Sequence, residues 1–556
     1  MQKIFKTIKV SCLAVIFMIS ACDSTELDIT QDPNALPPDA ASTDFFISQV
    51  QVDFGTLIAS LEVEASEAVR ILNMDGRNYN NAFEPTRFDQ EWEQAYRQIL
   101  NDIKTMNPLA EEAEQYYHIA MGQVLEAYVL VTLVDLFGDV PYSQALLGGE
   151  NLNPDVDPGA NVYAEAEQLL RDAITNFERE DVLTEPLQDL FYQGDWENWI
   201  KAANSILLKV YLTTRLIDTD ADDKFQAIID GGDYITSTDE DFQFPWNTSF
   251  NNPDARHPEY VDAYTPGGTN TYMSNWLMDY MLNSKVGNGV DDFETADPRM
   301  KYYFYRQTSS VPQDQPNLIN CVEESAPPHY TAGTVFCSLA NGYWGRDHGD
   351  DDGIPPDGQL RTAYGVYPVG GLFDDNSFSV IASITQGAGG GGITPIMLAS
   401  WVDIMRAEMA LVSGDAPAAR NLLQSGVAKS FAKVRSFGEL DATADLSTAP
   451  DPSLDATYIT ELGQIFDAAT SEGERMDILG SEYFVALFGN GLDGFNFYRR
   501  TGRPSTLQPN LEPAPGSFFR SFFYPPVFVE RNSSESQKAD VTTPVFWDTG
   551  TPLLAN

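Results

Sequence analysis

The chain is poor in the residues that most often do chemistry. Its 556 residues hold four cysteines and four histidines, His118, His257, His329 and His348. No H-E-x-x-H, G-x-S-x-G or Walker A pattern occurs. No alternation of strands and helices supplies the usual barrel in which a glycoside hydrolase would set two carboxylates. An enzyme is therefore not expected. Basic residues are also scarce: 33 Lys and Arg stand against 82 Asp and Glu, a formal charge of −49. Phosphate backbones repel such a chain, which argues against nucleic acid as a partner. The cysteine spacing is not that of a metal site.

What is present begins at the N-terminus. Lys3, Lys6 and Lys9 precede an apolar stretch, Val10 to Ile19, too short to span a bilayer. Ile19-Ser20-Ala21-Cys22 resembles the bacterial lipobox, with small residues immediately before the cysteine. Residues 1–21 thus read as a lipoprotein signal peptide, Cys22 as the lipidated residue and 22–42 as a tether. Several acyl chains on Cys22 would anchor the protein firmly, where one chain binds only marginally. The acidic run Asp23 to Asp28 resembles a surface-export signal. Removing three lysines and no acid takes the charge from −49 to −52. Of the remaining cysteines, Cys321 and Cys337 are expected to pair in an oxidising compartment.

Helical periodicity dominates residues 43–232. Phe46, Val50, Phe54, Leu57, Leu61 and Ala65 share one face of a helix expected over Thr43–Met74. The stretch Glu112 to Leu146 turns apolar nearly all round and stops at Gly138-Asp139-Val140-Pro141-Tyr142. A helix apolar on most faces is buried among neighbours, and stripes near 88–106, 162–177, 196–217 and 221–230 supply them. His118, inside the apolar stretch, reads as structural. Residues 233–392 are rich in Gly, Pro, Asn, Asp and aromatics, with one helix near Met273–Asn283. They read as an irregular insertion with short strands, and long loops of this kind usually carry function. Regularity returns over 393–556. There Thr394 is the expected N-cap and Pro395 the first helical residue, Asp415 caps a following helix, and the tail from Gly489 reads as irregular. The fold expectation is mainly α: a degenerate tetratricopeptide-like repeat scaffold split by the insertion.

Several motifs resemble the SusD/RagB-type outer-membrane lipoproteins, in shared order along the chain. They are Leu27-Asp28-Ile29-Thr30-Gln31-Asp32-Pro33-Asn34, the helix end Leu133 to Tyr142, Trp199 to Asn204 with Leu207-Leu208-Lys209, and Asp297-Pro298-Arg299-Met300. Later come the Ala399–Ala410 helix with Glu408, then Tyr498-Arg499-Arg500-Thr501-Gly502-Arg503-Pro504, and Arg520 with Tyr524-Pro525. The resemblance implies a surface lipoprotein without catalysis. It would capture a nutrient, usually an oligosaccharide, and deliver it to a SusC-type TonB-dependent outer-membrane transporter. A structural or adhesive lipoprotein and a glycan-active enzyme are the alternatives.

Sugar binding wants aromatic faces beside hydroxyl-binding polar groups. The loop clusters that offer both are Asn73, Asp75, Arg77 and Tyr79; Trp246 and Asn247; and Tyr343, Trp344 and Arg346. Helical Trp92, Trp196, Trp199 and Trp401 read as core. Gly387 to Gly392 satisfies G-x-G-x-x-G between a candidate strand, Phe378–Thr385, and a helix, but reads as a loop because no later acid completes a dinucleotide site. His348 to Gly353 nearly follows a calcium loop through Asp350 and Asp352, yet His348 and Gln359 stand where two carboxylates belong. No cofactor is expected, calcium being the one metal considered.

Overall fold

The computed structural model describes residues 42–265, 271–283, 295–310, 325–350 and 360–553. The expected signal peptide, Cys22, Cys321 and Asp352 lie outside them. Cys337 is disulfide-bonded.

The protein is mainly α, as the periodicity implies, and its helices pack as antiparallel hairpins. The first helix, α1 (Thr43–Ala68), ends earlier than expected because Arg70 takes a left-handed φ of +66°. The chain then runs through α2 (Asp89–Glu93), a π-turn (Gln94–Leu100) and α3 (Asn101–Glu112). Next come α4 (Tyr116–Phe137), α5 (Gly159–Phe177), α6 (Trp196–Thr214) and α7 (Ala221–Gly231). Gly232 closes α7 in the left-handed conformation that glycine takes without steric cost.

The apolar helix α4 is long and apolar enough to cross a bilayer, yet 89% of its most apolar window is buried inside the protein. It packs chiefly on α5. Side chains of the following turn explain its abrupt stop. Asp139 accepts from the Gly159 N–H (2.7 Å), and Asp157 accepts from the N–H groups of Tyr142 and Ser143, each at 2.8 Å. A Cβ at Gly159 would stand 2.9 Å from Val134, so glycine is what lets α5 begin against α4. Asp135, just before this turn, has a separate role. It is buried in the last turn of α4 and accepts from Trp547 Nε1 (2.9 Å), Asn496 (2.6 Å) and Tyr163.

The insertion contributes β1 (Phe242–Pro245), α8 (Pro258–Ala263), α9 (Asn275–Asn283) and the two-residue strands β2 (Phe304–Tyr305) and β3 (Ala363–Tyr364), which pair antiparallel. Here two sequence expectations fail. Thr394 and Pro395 do not open a helix: Ile393–Met397 is β4, antiparallel to β1, and α10 (Ala399–Val412) starts only after Leu398. Pairing with a strand some 150 residues earlier outweighs a locally good capping signal. Phe378–Thr385 is irregular rather than a strand.

The longer helices that follow are α11 (Ala416–Ser436), capped by Asp415 as expected, then α12 (Ser453–Ala468), α13 (Glu472–Ala486) and α14 (Leu492–Thr501). The last corrects the reading of the tail as irregular throughout. Polar residues such as Asn496, Arg499 and Arg500 masked its buried face, and each is inward because it is paired. Residues 43–556 form one compact unit.

The motif residues act as clasps between distant segments. Glu408 of α10 holds Arg500 of α14 at 2.7 Å and Arg215, beyond α6, at 2.9 Å. Arg299 joins Asp297 (2.6 Å) to Glu482 of α13 (3.0 Å), and Lys209 of α6 meets Asp493 of α14 at 2.8 Å.

Candidate functional site

An open cavity of about 470 Å³ lies beside β1 and α8, lined by Thr56, Trp246, Asp254, Arg256, Asp262 and Thr265 among others. Its aromatic element is Trp246, which follows β1. The indole is fixed on three sides. Its Nε1 donates to Thr394 Oγ1 (2.9 Å), and its ring makes edge contacts with Phe244 (4.9 Å) and His257 (5.8 Å). A half-buried ring held this firmly loses little freedom when a ligand stacks on it. Asn247, the next residue, is exposed, and its side chain accepts from the Ser249 N–H (2.8 Å) rather than lining the cavity. Phe250, which sequence reasoning passed over, is 55% exposed, and its ring lies 5.9 Å from the guanidinium of Arg256, itself a lining residue.

Arg256 grips Asp254 through two parallel bonds (2.9 and 2.6 Å) and donates to the Ile384 carbonyl (2.8 Å). That hydrogen bonding holds the Asp254 carboxyl below the usual range, so it stays an ionised acceptor for hydroxyls. The glycine-rich run, as expected, is a loop, and it backs this arrangement: the His257 N–H donates to the Gly390 carbonyl (3.0 Å) and that of Trp246 to Gly392 (2.9 Å). Gly390 has φ +82°, and a Cβ there would come within 2.8 Å of Arg256 and Tyr260. None of the four histidines lines the cavity. His257 is neutral, its pKa pushed down to about 3 by burial, and its Nδ1 accepts from the Glu259 N–H. His118 bonds to Asp44 (3.0 Å) and His329 to the Asn510 carbonyl (2.9 Å).

A bed of carboxylates lies behind the site. Burial pushes Glu62 and Glu64 of α1 up to about 7, and Glu259 of α8 up to about 8. Nearby Glu62 and Asp262 add to the Glu259 shift. Arg87 offsets part of this charge by pairing with Glu64 (2.7 Å) and Glu67 (2.8 Å).

The other sequence candidates separate into two groups. Tyr79, Tyr343 and Trp344 are buried and belong to the core. Tyr79 takes the Arg70 guanidinium on its hydroxyl (3.0 Å) and edge contacts from Phe518 and Phe519. Tyr343 lies under Arg306 (4.8 Å), and the Trp344 N–H donates to Thr362 Oγ1 (2.7 Å). Asp75 is exposed, and Arg77 forms an exposed pair with Glu512 at 3.5 Å. Asn73 and Arg346, by contrast, meet on a residue the sequence did not single out. Tyr272 accepts the Asn73 N–H on its carbonyl (2.9 Å), and the guanidinium groups of Arg346 and Arg361 lie 3.9 and 4.4 Å from its ring centre. Arg361 in turn pulls down the pKa of Asp262, which burial raises, and so links this group electrostatically to the Trp246 cavity. Tyr272 was missed because it sits alone among small polar residues. Asp350 is buried, and among the described residues no group of three or more His, Cys, Asp or Glu is placed to hold a metal ion.

Trp196 also departs from expectation, since it is only half-buried and lines a second cavity. Trp92, Trp199 and Trp401 are core, as read.

Residues 43–317 match the SusD-like family described as "Starch-binding associating with outer membrane". A SusD/RagB family protein of Bacteroides thetaiotaomicron superposes with TM-score 0.63 at 16% identity, covering 92% of this chain and 100% of its own. A chitin-binding SusD homologue of Flavobacterium johnsoniae gives TM-score 0.63 at 16% identity, over 92% of this chain and 99% of its own. A SusD homologue of Bacteroides uniformis gives 0.59 at 15%, over 91% and 99%. No curated protein matches the sequence. At such identities the structural likeness is one of fold.

Proposed function

The chain belongs to the SusD-like family, and on that premise we propose that it captures a glycan in the Trp246 cavity and delivers it to a TonB-dependent outer-membrane transporter. It does so as a binding protein, held to the outer membrane by lipid on Cys22. The observation that carries this reading is the cavity itself. A rigid indole and an ionised Asp254 line it together with Asp262, Thr56 and Thr265, and the lining Arg256 lies against the exposed ring of Phe250. Aromatic faces take the C–H faces of pyranose rings, and fixed acceptors take their hydroxyls. The carboxylates and the chain's overall charge disfavour an anionic polysaccharide. One solved relative is described as chitin-binding and the family as starch-binding, so chitin- and starch-derived oligosaccharides are the first ligands to try.

Calorimetric titration of the mature protein with N-acetylchitohexaose and maltohexaose tests the reading, with Trp246→Ala as the control. Saturable binding of either sugar, weakened roughly tenfold or more by the substitution, supports it. Binding that Trp246→Ala leaves unchanged removes the cavity from the account. Purification from detergent-solubilised outer membranes tests delivery: a large barrel transporter should accompany the protein, and recovery of the protein alone counts against it.

A further inference from the structure

A second and larger cavity, about 670 Å³, opens where the start of α4, the end of α5 and the loop into α6 come together. One side of its wall is aromatic and the other, from Gln193 to Asp195 and Glu197, is polar. Trp196 stacks on Phe177 (6.1 Å between centroids, 15° between planes) and packs against Tyr117 (4.8 Å). Phe177 and Tyr117 are buried, whereas Trp196 is only half-buried. Two core rings therefore support a third that reaches the cavity, which is preorganisation of the kind a stacking site needs.

The loop that forms the rim is equally constrained. Gln193 and Gly194 both have positive φ, +56° and +91°. The Asp189 carboxylate holds them there. It accepts from the N–H groups of Phe191 (3.0 Å), Tyr192 (3.2 Å) and Gly194 (3.0 Å) and from Trp199 Nε1 (3.0 Å). A non-glycine residue in this conformation carries strain that the surroundings must override. The other polar groups of the wall are engaged within the protein. The Tyr192 hydroxyl donates to the Glu240 carbonyl (3.0 Å), that of Tyr117 to the Arg179 carbonyl (3.2 Å), and Asp195 caps α6 through the Asn198 N–H (3.3 Å). Gln193 and Glu197 are exposed at the mouth, and no Lys or Arg lines the cavity.

We propose that this cavity is a second saccharide-binding site, distinct from the Trp246 cavity and selective for uncharged pyranose rings. The half-exposed indole takes the electropositive C–H face of the sugar. The Gln193 amide and Glu197 carboxylate take ring hydroxyls in directions set by the pinned loop. The carboxylates of Asp195 and Glu197 repel uronate or sulfate groups, and the Lys201 ammonium, one turn on from Glu197, is held by Glu240 (2.8 Å). The inference shares with the capture reading only its class of ligand.

The test uses the mature protein with 15N-labelled indoles, the Trp196 and Trp246 Nε1 resonances being assigned from Trp196→Phe and Trp246→Phe. Probes are maltohexaose, N-acetylchitohexaose and a hexagalacturonate. The expected result is a saturable shift of the Trp196 resonance with at least one neutral hexasaccharide, none with hexagalacturonate, and persistence of that shift in Trp246→Ala. Gln193→Ala, at an exposed side chain, should weaken this binding about threefold or more, and Trp196→Ala roughly tenfold. A sugar that moves Trp246 but leaves Trp196 still overturns the second site and leaves the capture reading standing. If neither neutral sugar moves either indole, both fall. An equal response of Trp196 to hexagalacturonate overturns the assignment to neutral rings.

Discussion

Glu408→Gln tests whether the motif residues are clasps. Glu408 is 1% exposed and receives Arg500 through two parallel bonds, Nε to Oε1 at 2.8 Å and Nη2 to Oε2 at 2.7 Å, with Arg215 Nη2 on Oε1 at 2.9 Å. Burial alone would raise its pKa, but the two guanidinium groups hold it below the ordinary value. The amide keeps the volume and loses the charge. It also turns one acceptor into a donor facing a donor, and leaves two buried cations without a counter-ion. Breaking a buried, hydrogen-bonded charge pair in this way costs about 3–5 kcal/mol. Both arginines are nearly inaccessible, so solvent screening removes little of it. Urea unfolding followed by tryptophan fluorescence reads the difference. Because the folded pKa is depressed, the carboxylate stabilises the fold above its unfolded value of about 4.3 and loses that contribution as pH falls through the folded value. The gap between wild type and Glu408→Gln should therefore be widest near neutrality and close on acidification below about pH 4. A loss under about 1 kcal/mol at pH 7, or a gap that ignores pH, refutes the clasp.

Three further outcomes follow from the site. Trp246→Ala should weaken oligosaccharide binding roughly tenfold while costing about 1–3 kcal/mol through the Thr394 hydroxyl it leaves unpaired, read by calorimetry and urea unfolding. Gly390→Ala puts a Cβ into Arg256 and Tyr260 at a φ of +82°, so it should cost about 1–3 kcal/mol and weaken sugar binding by displacing Arg256; wild-type behaviour in both assays contradicts this. Glu62 and Glu259 have folded pKa values raised to about 7 and about 8. The folded state then holds more protons than the unfolded one between the ordinary carboxylate range and those values, and stability should fall as pH rises through that window. Glu259→Gln should flatten the decline in the urea midpoint, and an unchanged slope argues against the shift.

The motifs that mark the family proved legible because each side chain of a clasp is chemically unusual for its place. Glu408 sits among the apolar positions of α10, Arg499 and Arg500 stand side by side in a strongly acidic chain, and Asp297-Pro298-Arg299 sets a proline between opposite charges. What they hold was not legible, since the partners of Asp135 are Trp547 and Asn496, more than 350 residues away. The aromatic loop residues misled for the converse reason. Tyr79, Tyr343 and Trp344 lie in Gly- and Asn-rich stretches that look like surface, but such a stretch can fold inward when distant chain covers it. Arg70, which supports Tyr79, is itself held by the Gln508 carbonyl, 438 residues on. Thr394-Pro395 is a good helix start locally and a strand in fact, because β1 is there to pair with it.

By itself the amino-acid sequence determined most of the long helices and the burial of α4, since a period of 3.6 and an all-round apolar surface depend only on neighbours along the chain. It also determined the family, through the order of its motifs. Tertiary structure alone decided which aromatics face a cavity. Trp246 and Trp196 line one, while Tyr79 and Trp344 are buried, because exposure in an irregular segment depends on what other segments pack over it, and no local periodicity records that.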